Sequence, residues 1–165
     1  MEMRVYIVNP MGESDGEKKG AWFNLPITWE DIVEKIGLDF LKDEYSIEDY
    51  EAPYRIKAYD SIEQLNKYYR MIEEMKPCVV NNLTRIMDEW FEDVEAVYRN
   101  KDKLEFYKNF SSMRDLAVYL VNKDIRFGKI DDMIRNCINY EELGRDLKRI
   151  GDFLVCDGGI LELDY

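Results

Sequence analysis

Residues 153–163 read Phe-Leu-Val-Cys-Asp-Gly-Gly-Ile-Leu-Glu-Leu. Two apolar runs, 153–156 and 160–163, flank Asp157-Gly158-Gly159, and that spacing predicts a β-hairpin. The opposite end of the chain is β as well. Residues 3–9 alternate and are rich in branched side chains, and 21–25 (Ala-Trp-Phe-Asn-Leu) make a second strand closed by Pro26. Gly12 to Gly20 is a polar loop between them. Residues 44–50 are extended, Pro53 disfavours helix beside them, and Leu104-Glu105-Phe106-Tyr107 adds a further strand.

Helical patterns fill the rest. Thr28 caps a short helix whose apolar face is Trp29, Ile32, Val33 and Ile36, with Gly37 as its stop. Ser61 and Gln64 open a stronger one with the stripe Ile62, Leu65, Tyr69, Ile72, and Pro77 marks its break. Leu83, Ile86, Met87, Trp90 and Phe91 define another, and Val94, Val97 and Tyr98 a short third. Ser112 caps a helix carrying Met113, Leu116, Leu120 and Val121, and Ile130, Met133, Ile134 and Ile138 form a further stripe. A weak repeat of helix starts recurs at 59–65, 91–97 and 110–116, an aromatic followed two residues later by a capping residue. It divides the chain near 60 and 103. The expected fold class is α+β, with small antiparallel sheets plus helices at both ends and a helical middle: domains 1–60, 61–103 and 104–165.

Composition limits the chemistry. The 165 residues hold 35 acids, 23 bases and no histidine, for a net charge of −12. Histidine is the usual general base and metal ligand near neutral pH, so its absence points away from catalysis. The charge repels nucleic acid and anionic membranes and favours a partner with a basic surface. No apolar run approaches ~18 residues, so no membrane span is expected. Cys78, Cys137 and Cys156 are odd in number, far apart and outside any CxxC pair, which predicts buried or partly buried free thiols in a reducing cytoplasm.

The charge is uneven. Residues 28–51 hold nine acids (Glu30, Asp31, Glu34, Asp39, Asp43, Glu44, Glu48, Asp49, Glu51) against Lys35 and Lys42. Residues 86–95 hold Asp88, Glu89, Glu92, Asp93 and Glu95 and no base, whereas 99–129 is net +4. Carboxylates three or four apart on a helix lie ~5–6 Å apart. A duplex of ~20 bp presents roughly 40 phosphates, the same order as the acids available here. Carboxylate dyads at Glu48-Asp49 with Glu51, or at Asp131-Asp132, are weak signals for a cation. No EF-hand, P-loop, G-x-G-x-x-G or G-x-S-x-G pattern is present. In Gly144-Arg145-Asp146-Leu147 the charged pair reads as a structural salt bridge near a helix end, beside a close-packed glycine.

Several blocks together resemble the ArdA antirestriction proteins of conjugative plasmids and transposons. They are Arg4-Val5-Tyr6-Ile7, Gly20-Ala21-Trp22-Phe23 with Leu25-Pro26, and Ile36-Gly37-Leu38. Next come Glu44-Tyr45-Ser46-Ile47-Glu48-Asp49-Tyr50-Glu51-Ala52-Pro53 and Tyr59-Asp60-Ser61-Ile62-Glu63-Gln64-Leu65-Asn66. The last are Tyr140 with Gly144-Arg145-Asp146-Leu147, Gly151 with Phe153, and Gly159-Ile160 with Glu162. Each is short, but the ordered set spans nearly the whole chain, least so between 76 and 135.

The resemblance implies a curved, elongated, three-domain protein that pairs through its C-terminal domain. The homodimer would imitate bent B-form DNA in the DNA groove of a type I restriction-modification enzyme and so protect an incoming mobile element. The acids it nominates first are Glu44, Glu48, Asp49, Glu51, Asp60 and Glu63. Glu30, Asp31, Glu34, Asp39 and Asp43 flank them, and Asp88, Glu89, Glu92, Asp93 and Glu95 extend the stripe. No catalytic residue, cofactor, metal or direct nucleic-acid contact is expected. Two other readings stand beside it: an acidic adaptor for some other basic protein, and a small metal-dependent enzyme using Glu48 and Asp49 or Asp131 and Asp132.

Overall fold

The computed structural model describes residues 2–10, 19–39 and 44–164. The chain divides into two compact units, Met1–Tyr98 and Arg99–Tyr165.

In the first unit, β1 (Arg4–Asn9) is the central strand of an antiparallel sheet, between β2 (Lys19–Asn24) and β3 (Ser46–Glu51). Its period-2 pattern sends Val5 and Ile7 into the core with Phe23 of β2, all at most 2% exposed. Tyr6 packs edge-on against Trp22, and Arg4 lies over the Trp22 ring. Helix α1 (Trp29–Ile36) starts where the Thr28 hydroxyl accepts from the Asp31 N–H, and it ends at left-handed Gly37. It buries Ile32 and Ile36, but Val33 is 53% exposed, so the apolar face is narrower than the sequence predicts. Of the expected loop between Gly12 and Gly20, Lys19 and Gly20 belong to β2 and the remainder lies outside the described residues.

Four helices complete this unit: α2 (Ile62–Glu73), α3 (Pro77–Val80), α4 (Leu83–Trp90) and α5 (Val94–Arg99). Pro77 opens α3 at the position where a missing N–H costs nothing. Ile62, Leu65, Ile72, Leu83, Ile86, Val94 and Val97 are buried. Polar bonds stitch these helices to the segments beside the sheet. The Asn66 side chain accepts from the Ile27 N–H and donates to the Ile27 carbonyl, both at 2.7 Å. Thr84 donates to the Pro53 carbonyl at 2.9 Å, and Arg55 forks onto Asp88 at 2.7 and 2.9 Å. Asn66→Ala strands both Ile27 groups, one of them an N–H with no helix or strand to serve it. We expect a loss of about 1–3 kcal/mol in thermal or urea unfolding. A change below about 0.5 kcal/mol would mean that water replaces the amide freely.

The second unit contains one 3-10 turn (Lys101–Lys103), β4 (Leu104–Lys108), α6 (Met113–Asn122), α7 (Asp132–Arg135), α8 (Tyr140–Ile150), β5 (Asp152–Cys156) and β6 (Gly159–Leu163). The predicted hairpin is β5–β6, turned by Gly158 at φ 83°. β6 also pairs with β4, which makes the C-terminal strand the centre of the sheet β4-β6-β5. The core joins Tyr107, Phe153 and Ile160 of the sheet to Leu116, Ala117 and Leu120 of α6 and Leu147 of α8. Gly144 permits that packing. A Cβ on it would lie 2.8 Å from the backbone of Met113 and Arg114.

Two expectations are corrected here. Gly144 sits in the middle of α8 rather than near its end, and Asp146 pairs with Arg149 at 3.0 Å rather than with Arg145. The stripe Ile130, Met133, Ile134, Ile138 yields only the four-residue α7, with Met133 75% and Ile134 57% exposed. The side chain of Asp131 caps that turn by accepting from the Met133 N–H, but Met133 and Ile134 bury no face. A single unsupported turn does not propagate.

All three starts of the weak repeat are real helix starts. Ser61 and Ser112 accept from the N–H three residues on, and Asp93 does the same for Ala96.

Candidate functional site: an acidic surface on the first unit

The charge divides with the fold. Met1–Tyr98 holds 22 acids against 11 bases, and Arg99–Tyr165 holds 13 against 12. Every acid nominated for the DNA-mimicking surface falls in the first unit, and the net-positive stretch 99–129 falls in the second.

Local structure decides how these acids are presented. Glu30, Asp31 and Glu63 occupy the first turns of α1 and α2, where the helix dipole favours negative charge. Glu34 follows one turn on in α1. Glu48, Asp49 and Glu51 lie on β3, an edge strand. Asp60 precedes α2, Asp88 and Glu89 are on α4, Glu92 and Asp93 join α4 to α5, and Glu95 is on α5. Asp39 and Glu44 lie between α1 and β3. Asp43 lies outside the described residues.

The structure separates these carboxylates into two groups. Seven serve the fold. Asp31 accepts from the Thr28 hydroxyl at 2.8 Å, Asp49 from the Tyr50 N–H at 2.8 Å, Asp60 from the Lys57 N–H at 2.9 Å and Asp93 from the Ala96 N–H at 2.7 Å. Glu51 takes the Arg4 guanidinium in a fork at 2.6 and 2.8 Å, Asp88 takes Arg55, and Glu95 takes Lys67. The Arg4 fork holds the Glu51 carboxyl below its ordinary range, and Glu51 in turn raises Arg4. Both are exposed, so the pair adds little to stability. Glu30, Glu34, Glu44, Glu63, Glu89 and Glu92 form the second group. They are exposed and have neither an ion pair nor a side-chain hydrogen bond among the described residues. Asp39 and Glu48 are also exposed, and each interacts with a neighbour.

Sequence reasoning passed over two acids of α2 and its cap. Glu73 accepts from the Tyr69 hydroxyl at 2.7 Å, and Glu74 accepts from the Tyr98 hydroxyl. The Tyr69 to Glu73 spacing of four on a helix was the available signal. It also passed over the role of Glu162 in β6, which is 5% exposed and bonded by Tyr107 at 2.9 Å and by Arg126.

Among the described residues no group of three or more Asp, Glu, Cys or His side chains converges as a metal site. Asp131 is committed to capping α7. Cys137 is exposed, against the expectation of a buried thiol, while Cys78 and Cys156 are half-buried. No helix among the described residues is long and apolar enough to cross a membrane.

The family model described as antirestriction protein (ArdA) matches residues 5–162. No curated protein matches the chain. A match over nearly the whole length places the chain in the ArdA antirestriction family.

Proposed function

We propose that this member of the ArdA family is a non-enzymatic mimic of B-form DNA that occupies the DNA-binding groove of a type I restriction-modification enzyme. The observation that carries this reading is the concentration of charge in one unit: Met1–Tyr98 has twice as many acids as bases. It presents six exposed carboxylates, four of them on helices, that have no ion pair among the described residues. On this reading residues 1–60, 61–103 and 104–165 act as successive domains, the second stitched to the first by Asn66, Thr84 and Arg55. The protein works in the cytoplasm of a host that has received a mobile element.

The reading includes a homodimer joined through the second unit. That unit is nearly neutral, so two copies can approach there without strong repulsion. It also exposes Ile125, Phe127, Met133 and Ile134 within one short stretch.

The test is competition between the protein and a labelled duplex of ~40 bp, long enough to fill the enzyme's DNA groove, for a type I methyltransferase core. Displacement is expected, and it should weaken at least about tenfold between roughly 50 and 200 mM salt, because exposed ion pairs are screened. A salt-independent displacement would contradict mimicry. No displacement from any such enzyme would move the function to an acidic adaptor for another basic protein.

A further inference from the structure

The first unit carries a cleft of about 330 Å³ beside the end of α2. Its floor is apolar: Met3, Ile72, Met75 and Val80, each less than 9% exposed. Tyr69 and Glu73 stand at its rim, with the Tyr69 hydroxyl donating to the Glu73 carboxylate at 2.7 Å. Glu73 has no ion-pair partner among the described residues. An apolar floor, an aromatic rim and an unneutralised carboxylate together suit one kind of side chain. An arginine lays its methylene stem on apolar surface, stacks its guanidinium plane on an aromatic ring and forks onto a carboxylate. Lysine matches the charge but not the plane. Two of the four floor residues are methionines, which adjust to an inserted group. The surrounding unit, with its excess of acids, draws basic surfaces toward the cleft.

We propose that this cleft receives one arginine side chain from the basic groove of the partner enzyme and acts as an anchor within an otherwise diffuse electrostatic contact. The inference rests on the mimicry reading for the identity of the partner. It differs in consequence, since a desolvated, forked charge contact is stronger and less screened than an exposed one. The Tyr69 hydroxyl holds the carboxylate at the rim before the partner arrives, so it is a positioning residue.

The experiment uses the full-length protein in the duplex-competition assay with a type I methyltransferase core. Glu73→Gln keeps the shape and removes the charge. Asn81→Trp, at the exposed cleft margin, blocks access without touching the carboxylate. Glu141→Gln, on α8 of the second unit, is the control for an exposed acid outside the cleft. Both cleft variants are expected to weaken displacement at least about tenfold at low salt and to keep a clear deficit at high salt. The control should stay within about twofold. Circular dichroism melts matching the parent would exclude misfolding. If the parent displaces DNA but Glu73→Gln and Asn81→Trp behave like Glu141→Gln, the anchor is overturned while mimicry stands. If the parent displaces nothing, both readings fall together.

Discussion

Arg126→Ala is expected to destabilise the second unit by about 2–3 kcal/mol, which lowers Tm by roughly 5–10 °C in a chain of this size. Glu162 sits on β6, the central strand, and is 5% exposed. One carboxylate oxygen accepts from the Tyr107 hydroxyl at 2.9 Å and the other takes the Arg126 guanidinium. The guanidinium also lies 5.3 Å above the Phe153 ring. Without Arg126 the carboxylate keeps its burial and loses its countercharge, and breaking a buried pair from one side costs about 3–5 kcal/mol. The lower figure applies because the Arg126 side chain is 36% exposed and water can follow it out.

Arg126 also has a positive φ, 69°, a conformation that favours glycine over alanine. Arg126→Gly therefore separates the two contributions. If the ion pair governs, glycine loses nearly as much as alanine. If backbone strain governs, glycine recovers stability. The double change Arg126→Met with Glu162→Leu removes both charges and should regain most of what the single change loses.

The same cluster sets an alkaline limit. Burial first, and then the hydrogen bond to Glu162, hold the Tyr107 phenol well above its ordinary value. An unfolded tyrosine ionises near pH 10, so above that pH the unfolded chain releases its proton first. The contribution of Tyr107 is complete below about pH 10 and is lost as pH rises. Tyr107→Phe should flatten this alkaline slope in pH-dependent melts.

The elements that the sequence made legible share one property: their signals are local. The 157–159 turn, the capping residues Thr28, Ser61 and Ser112, and the alternation of β1 all specify structure within a few residues, and all are present. Helix α8 was missed although its cap at Asn139, its acidic first turn and its basic last turn are favourable. Its apolar face is little more than Leu143 and Leu147, and the close packing expected of Gly144 shows its reason only when α6 lies against it. The opposite error occurred at 130–138, where the middle of a good apolar stripe, Met133 and Ile134, stays exposed. Strand order was beyond reach for the same reason. Nothing local says that β6 inserts between β4 and β5. The acidic surface was legible as a count, but its division into seven structural carboxylates and six unengaged ones was not. For Glu51, Asp88 and Glu95 that division depends on Arg4, Arg55 and Lys67, which lie 28 to 47 residues from their partners.

That division makes the second large prediction sharp. Replacing Glu30, Glu34, Glu44, Glu63, Glu89 and Glu92 together by glutamine should reduce inhibition of a type I enzyme by about two decades, with Tm nearly unchanged. At about 0.5 kcal/mol for each exposed pair with the partner, six contribute about 3 kcal/mol, and 1.4 kcal/mol is a factor of ten. Any one of the six alone should alter inhibition by less than about threefold. The comparison set is Asp31, Asp60, Asp88 and Asp93, each bonded within the fold. Changing these to alanine should lower Tm first, because Asp60 and Asp93 satisfy backbone N–H groups, Asp31 holds the Thr28 cap and Asp88 holds Arg55. Measuring inhibition and melting for both sets tells surface charge from scaffold. If the six-glutamine protein inhibits as well as the parent, distributed charge is not the recognition principle, and the binding energy must lie in a focused site such as the Glu73 cleft. If every single change among the six is as damaging as the set, the contact is cooperative and an independent sum of ion pairs is the wrong description.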